Sequence, residues 1–275
     1  HVMARRQRQM CIRDSYYDLQ TNSSPGRRII LHADGTVSAV WTTSPDAGTG
    51  YPNRGSGYNH YDGTNWLMGR DSKIESAGRT GWPTIMLLDD GSEMTIAHES
   101  NTGGFITSKN TAKGNTSFNS SNAILEALTE PKSNRVPIWN RSAASNGKIH
   151  IISNYWASEA NGVPVVTRKG VNSPTTYSRW DVNGDSSDIA HVLLPGYDST
   201  LFAAGGGDSY AIDVRDSIVA ILLGGLGDPV SLWKSTDNGE NWTYTDVDSF
   251  PFKGQRSAAR LLLSGDTALS NDGSM

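Results

Sequence analysis

Cysteine is almost missing from this chain, with Cys11 alone among 275 residues. One thiol closes no internal disulfide, so packing and hydrogen bonds must hold the fold, and the redox compartment is left open. Long apolar runs are missing too. The longest, Ile218–Leu223, is far short of the roughly 20 residues that span a bilayer, which predicts no membrane span. Helical periodicity is scarce, and the best amphipathic stretch is Ser121–Leu128 (SNAILEAL). A basic excess is absent, since the formal net charge is −4, and with it the electrostatic footprint of a nucleic-acid binder. No apolar h-region follows the basic start, so no signal peptide is visible. The chain also lacks Gly-x-Ser-x-Gly, His-Glu-x-x-His and P-loop patterns. Its six histidines are dispersed, which predicts no metal site and no cofactor, and His98 reads as structural rather than as a ligand.

What is present belongs to strands and turns. Glycine (29 residues) and tryptophan (8) are abundant, and Ser, Thr, Asn and Asp crowd between short apolar runs. Residues 1–15 stand apart: Ala4–Ser15 (ARRQRQMCIRDS) resembles a translated sequencing-adapter stretch, the alternative being a disordered basic arm. We treat 1–15 as a leader and 16–275 as the folding unit. Without the leader's four Arg and one Asp the body carries −7 and no cysteine. Such a composition suits an extracellular bacterial protein.

A repeat lies in the turns. Asp34-Gly35, Asp90-Gly91, Asn146-Gly147, Arg215-Asp216 and Asp272-Gly273 each close a hairpin, and a second series interleaves at Asp62-Gly63, Lys113-Gly114, Asn183-Gly184 and Asn238-Gly239. Such dipeptides supply the positive φ that two-residue hairpins require. An aromatic follows in three of the second series, at Trp66, Phe118 and Trp242. Each unit is therefore a four-stranded antiparallel meander of about fifty to sixty residues, the size of a propeller blade. The expected fold is an all-β β-propeller with blades at approximately 27–70, 80–120, 136–190 and 207–248 and a partial one at 255–275, forming an incomplete ring. A β-sandwich is the rival, and the two-turn period favours the propeller.

The octapeptide Ser235–Trp242 (STDNGENW) fits Ser-x-Asp-x-Gly-x-x-Trp and resembles the Asp-box (BNR repeat) of the sialidase superfamily. The resemblance implies that Ser235, Asp237, Gly239 and Trp242 stabilise a hairpin at the blade periphery. Arg179–Asp188 (RWDVNGDSSD) fills the same slot one blade earlier; its Asp181, Asn183 and Asp185 resemble a calcium loop, but Val192 stands where a Glu is wanted, and the polar-hairpin reading is preferred. Arg28–Thr36 has the layout of the family's opening Arg-Ile-Pro strand, with Ile30 in place of proline. RTGWP from Arg79, and LLPGYDS and GGGDSYA after Leu193, are similar to secreted propellers with a C-terminal sorting tail.

First strands of successive blades line the axis, which puts Arg28, Arg141 and Tyr210 at one level and Arg79 and Arg256 at strand entrances. One reading is an anionic-ligand pocket in which Arg28, Arg141, Arg256 and Arg79 bind a carboxylate as planar forks. The other is that they bond loop carbonyls or inter-blade Asp. Trp82, Trp139, Tyr155 and Trp156 either stack on sugars or pack between blades. The family resemblance implies an acid/base at Asp46 and a Tyr nucleophile, for which Tyr210 is best placed although no Glu is paired with it. The expected function is recognition or processing of extracellular glycans at the axial funnel by a secreted or surface-displayed monomer. An exo-sialidase and a non-catalytic adhesion module are the alternatives, and nucleic acid is not an expected partner.

Overall fold

The computed structural model describes residues 26–67, 73–101, 104–123, 137–155, 165–182, 186–202, 204–225 and 228–248. Among them there is no helix, and so none long and apolar enough to cross a membrane. The expected blade start at 255–275, with Arg256, lies outside the described residues, as do Trp156 and the Asn183-Gly184 turn.

Four antiparallel sheets follow one another along the chain. The first holds β1 (Ile29–Leu31), β2 (Val37–Thr43) and β3 (Gly55–Tyr61), and a single bridge from Tyr61 to Trp66 stands in for a fourth strand. The second is β4 (Thr80–Leu87), β5 (Glu93–Glu99), β6 (Phe105–Asn110) and β7 (Asn119–Ala123). The third is β8 (Ile138–Ser145) and β9 (Lys148–Asn154), then, after a small ribbon of β10 (Thr167–Arg168) and β11 (Val171–Asn172), β12 (Thr176–Asp181) and β13 (Ser186–Val192). The fourth is β14 (Tyr210–Arg215), β15 (Ile218–Gly225), β16 (Asp228–Ser235) and β17 (Thr243–Asp248). These are blades of a β-propeller, and the first strands β4, β8 and β14 run side by side. The stretch with the best helical spacing instead begins in β7, where Asn119–Ala123 pair with β6.

Local chemistry explains the hairpins. Gly35, Gly91 and Gly147 take φ values of 83°, 79° and 70°, and Asp216 adopts 53° in the equivalent place. The Asp34 and Asp90 carboxylates accept the backbone N–H two residues on, at Thr36 and Ser92, which fixes each turn. Apolar side chains on the flat faces then meet between blades. Val40, Tyr58, Ile74 and Ile85 pack blade 1 on blade 2; Met86, Ile96, Phe105, Ile149 and Ile151 pack blade 2 on blade 3; Ile152, Tyr177, Ile221 and Trp233 lie in the cluster joining blades 3 and 4.

The Ser235–Trp242 turn shows how a hairpin also couples blades. Ser235 Oγ accepts the N–H of Gly239 at 2.8 Å and donates to Asp237 Oδ1 at 2.7 Å, and Asp237 Oδ1 accepts the N–H of Asn241 at 2.9 Å. Trp242 Nε1 donates to the Gly239 carbonyl, and its ring meets Tyr177 of blade 3 edge-on at 4.9 Å. Gly239, at φ 88°, touches Tyr177 so closely that a Cβ there would overlap the phenol oxygen. Ser235 is buried, so Ser235→Ala removes the acceptor of two backbone donors, the N–H groups of Gly239 and Asp237. It is expected to cost about 1–3 kcal/mol in urea unfolding.

Two blades share an irregularity that positions the site. The register shifts between Gly81 and Thr84 in β4 and between Ile138 and Arg141 in β8. Inside those bulges Trp82 and Trp139 take positive φ, 52° and 56°, a conformation that is a genuine outlier for bulky side chains. A bulge re-aims side chains where plain alternation would send them to the other face.

Candidate functional site

The re-aimed tryptophans close on a histidine. Trp82 stacks on His98 with centroids 4.7 Å apart and planes 16° from parallel. Trp139 meets both rings edge-on, each at 4.6 Å. His98 comes from β5, where it pairs with Gly81, and it is fully buried. Neither ring nitrogen has a hydrogen-bond partner among the described residues.

Arginines from three blades surround this group. Arg54, immediately before β3, places its guanidinium 4.4 Å from the Trp82 centroid while Nε donates to the Thr80 carbonyl at 2.9 Å and a terminal nitrogen donates to Ser100 Oγ. Arg79 donates to the carbonyls of Tyr51 and Gly50 at 3.0 and 2.9 Å, tying the entrance of blade 2 to a loop of blade 1. Arg141 donates to the carbonyls of Asn140 and Gly207, lies 4.0 Å from Asp208 Oδ1, and stands 5.7 Å from the Tyr210 centroid. Arg28 is buried, and its pKa is lowered by desolvation first and by the Arg141 charge second. Desolvation above all, then the charges of Arg54, Arg141, Arg79 and Arg28, push the His98 pKa well below the usual imidazole range. The ring is therefore neutral at pH 7, with its lone pair inside a cationic surround.

The fold thus brings together Arg28, Arg141, Arg79, Trp82, Trp139 and Tyr210, and adds Arg54 and His98, which strand-register reasoning missed. Arg54 lies on the approach to a third strand and His98 on a second, so no first-strand register points to either. Two of the expected arginines also do what the alternative reading assigned them, since Arg79 and Arg141 bond loop carbonyls. Tyr155 is fully buried and its hydroxyl meets His191 Nδ1 at 2.8 Å, which is packing rather than sugar stacking.

The two residues expected to perform catalysis, Asp46 and Tyr210, both make hydrogen bonds within the structure. Asp46 accepts from the N–H and the side-chain amide of Asn53 at 2.8 and 2.9 Å and from Ser44 Oγ at 2.9 Å. The backbone bond, then the side-chain bond, from Asn53 lowers its pKa, the wrong direction for a proton donor. Tyr210 is buried, its one hydroxyl proton goes to the Trp139 carbonyl with Asn154 Oδ1 3.1 Å away, and desolvation raises its pKa. A nucleophilic phenol needs the opposite. At the degenerate turn of blade 3, Asp181 and Asp188 bind Lys148 Nζ, each at 2.8 Å, which makes it a polar hairpin among its described residues.

A separate cleft of about 320 Å³ opens between the hairpin turns of blades 2 and 3, lined by Leu88, Asp89, Asp90, Ala144, Gly147 and Lys148 among others. It lies at the opposite ends of β4 and β8 from Trp82 and Trp139, and no arginine of the cluster lines it.

No family model and no curated protein matches the sequence. Solved structures do match. A protein of unknown function from Dyadobacter fermentans aligns with TM-score 0.54 and 16% identity over 82% of this chain and 71% of its own. The family 117 glycoside hydrolase Zg3597 of Zobellia galactanivorans aligns with TM-score 0.52 and 11% identity over 79% and 67%. The catalytic domain of a GH62 α-L-arabinofuranosidase from Coprinopsis cinerea aligns with TM-score 0.51 and 10% identity over 82% and 69%. The class is therefore an all-β propeller fold shared with glycoside hydrolases. At these identities the likeness is one of fold, and a scaffold of this kind hosts many functions.

Proposed function

We propose that the chain binds acidic glycans at the axial end where Trp82, Trp139 and the four arginines meet. The observation that carries this reading is the packing of Trp82 and Trp139 around the fully buried His98, with the Arg54 guanidinium 4.4 Å over Trp82 and Arg141 beside Tyr210, in a surround where the charges of Arg54, Arg141, Arg79 and Arg28 all act on the imidazole in the same direction. Burying several guanidinium groups together costs desolvation and mutual repulsion, and a carboxylate ligand relieves both. Arg79 and Trp139, the more exposed members, offer a positive charge with the N–H groups not given to Tyr51 and Gly50, and an aromatic ring, to a uronate or sialate unit. The glycoside hydrolases that share the fold add support by analogy. Acidic polysaccharides are extracellular polymers, so the reading carries secretion or surface display with it. Sialidase chemistry through Asp46 and Tyr210 is not part of the proposal, because both groups are engaged as described above.

The test is calorimetric titration of the purified chain with uronate oligomers, sialyllactose and a neutral oligosaccharide. Binding confined to the acidic ligands, weakened by salt and reduced about 10- to 100-fold in Arg79→Gln and Arg141→Gln, is the expected result. Equal affinity for the neutral sugar, or full binding by both variants, would sink the reading. The same samples, assayed for new reducing ends and for ultraviolet absorbance of an unsaturated uronate, report whether hydrolysis or elimination follows binding.

A further inference from the structure

A second buried cluster lies between blades 1 and 2, away from the arginines. His32 follows β1, and Ser38 of β2 pairs directly with His60 of β3, so the three share the face that looks toward blade 2. Ser38 Oγ stands 2.9 Å from both His32 Nε2 and His60 Nδ1. From blade 2, Glu93 at the start of β5 reaches across, with Oε1 3.2 Å from His32 Nε2. The ligand atoms of His32, His60 and Glu93 all lie within 4.8 Å of one another, and all three residues are buried.

The two carboxylate oxygens of Glu93 are treated differently. Oε2 accepts from Tyr58 hydroxyl at 2.7 Å and from Asn110 Nδ2 at 2.9 Å, whereas Oε1 is buried with no hydrogen bond among the described residues. A fully buried carboxylate with one oriented oxygen and one unsatisfied oxygen is costly unless a cation meets it. Among the described residues its one ion-pair contact is His32. Lys113 is at the rim, bound to Asp34.

The equivalent node between blades 3 and 4 shows how the fold meets the same need elsewhere. There Tyr177 stands on the third strand as Tyr58 does, each touched by the turn glycine of the next blade, Gly239 and Gly114. Two residues after each tyrosine come Arg179 and His60. Arg179 supplies the cation to Asp188 and Glu240, at 2.9 and 2.6 Å. Blade 1 has an imidazole in that position, facing a second imidazole and a carboxylate.

We propose that His32, His60 and Glu93 bind a zinc ion that staples blade 1 to blade 2, with Ser38 hydroxyl or a solvent molecule in the fourth position. Two imidazoles and a carboxylate form a common zinc donor set, and the nitrogen content disfavours calcium and magnesium. Tetrahedral bonds of about 2.0–2.2 Å put ligand atoms roughly 3.4 Å apart, so side-chain shifts of about an ångström complete the shell. Tyr58 and Asn110 orient the carboxylate from behind, as second-layer partners do at metal sites.

The experiment uses the untagged full chain, stripped with a chelator and checked for cooperative melting. Zinc is then titrated in competition with a chromophoric chelator, and cobalt(II) is added to a parallel sample. One tightly held equivalent of zinc, a raised melting temperature and tetrahedral cobalt absorption are expected, with affinity falling at least about tenfold in His60→Asn and Glu93→Gln. A folded, stripped chain that takes up no stoichiometric zinc overturns the proposal, and so does uptake that both variants leave unchanged. The wild-type titration decides the matter even where a variant fails to fold.

Discussion

Acidifying the protein from pH 7 to pH 4 is expected to lower its unfolding free energy by at least about 3 kcal/mol. His150 is fully buried on β9, with Nδ1 2.7 Å from the Tyr177 hydroxyl. Desolvation first, then the Arg179 charge, lowers its pKa to about 4, with Lys148 acting in the same direction and Asn238 and Asp188 opposing. The group is depressed in the folded state, so the unfolded chain binds a proton at pH values where the native one does not. Stability is then full above the unfolded value near 6.5 and is lost as pH falls toward 4. A gap of about 2.5 pH units corresponds to about 3 kcal/mol. His98, held neutral by burial and by Arg54, Arg141, Arg79 and Arg28, adds a loss of the same sign. Urea midpoints measured at intervals between pH 7 and 4 check this, and His150→Gln should flatten the slope. A midpoint that stays level across that window would mean that these rings are protonated in the native state.

Trp233→Ala is expected to cost about 3–5 kcal/mol, among the largest single losses available in this fold. Trp233 lies on β16, is fully buried, and donates from Nε1 to the Pro195 carbonyl at 2.8 Å. Tyr244, Phe202 and Tyr197 surround it with centroids 5.1, 5.8 and 6.3 Å away. Phe202 and Tyr197 belong to the connection between blades 3 and 4, so the truncation leaves a cavity at the joint as well as an unpaired carbonyl. Trp233→Phe keeps a ring in place and should recover more than half of the loss. Denaturant unfolding by far-ultraviolet dichroism gives both values. A loss near 1 kcal/mol for the alanine variant would mean that the 193–202 segment collapses into the space.

The Trp233 expectation turns on the joint between blades 3 and 4, and the two proposed sites on contacts between blades. Within a blade, much was legible in the residues alone. Asp34-Gly35, Asp90-Gly91 and Asn146-Gly147 announce hairpins because positive φ is a demand made within four residues. Ser235, Asp237 and Gly239 specify their turn because every hydrogen bond in it is local. First-strand counting placed Arg28, Arg141 and Tyr210 at one level, and the structure brings these three to one region. The assignment of Asp46 and Tyr210 to catalysis came from resemblance. In the structure Asp46 caps a loop through its near neighbours Ser44 and Asn53, whereas Tyr210 is a buried phenol, and that burial has no short-range signature.

Sequence by itself thus determined the strand order, the turn chemistry and the antiparallel meander, all set by interactions within one hairpin. Tertiary structure alone decided which side chains meet. The bulges at Trp82 and Trp139 turn those rings onto His98 against the alternation of their strands, and Arg54 arrives from a third strand. Glu93 crosses from blade 2 to His32 and His60 because blades stack face against face. Such meetings depend on the stacking of whole sheets, a sum over many weak apolar contacts that no local pattern of residues encodes.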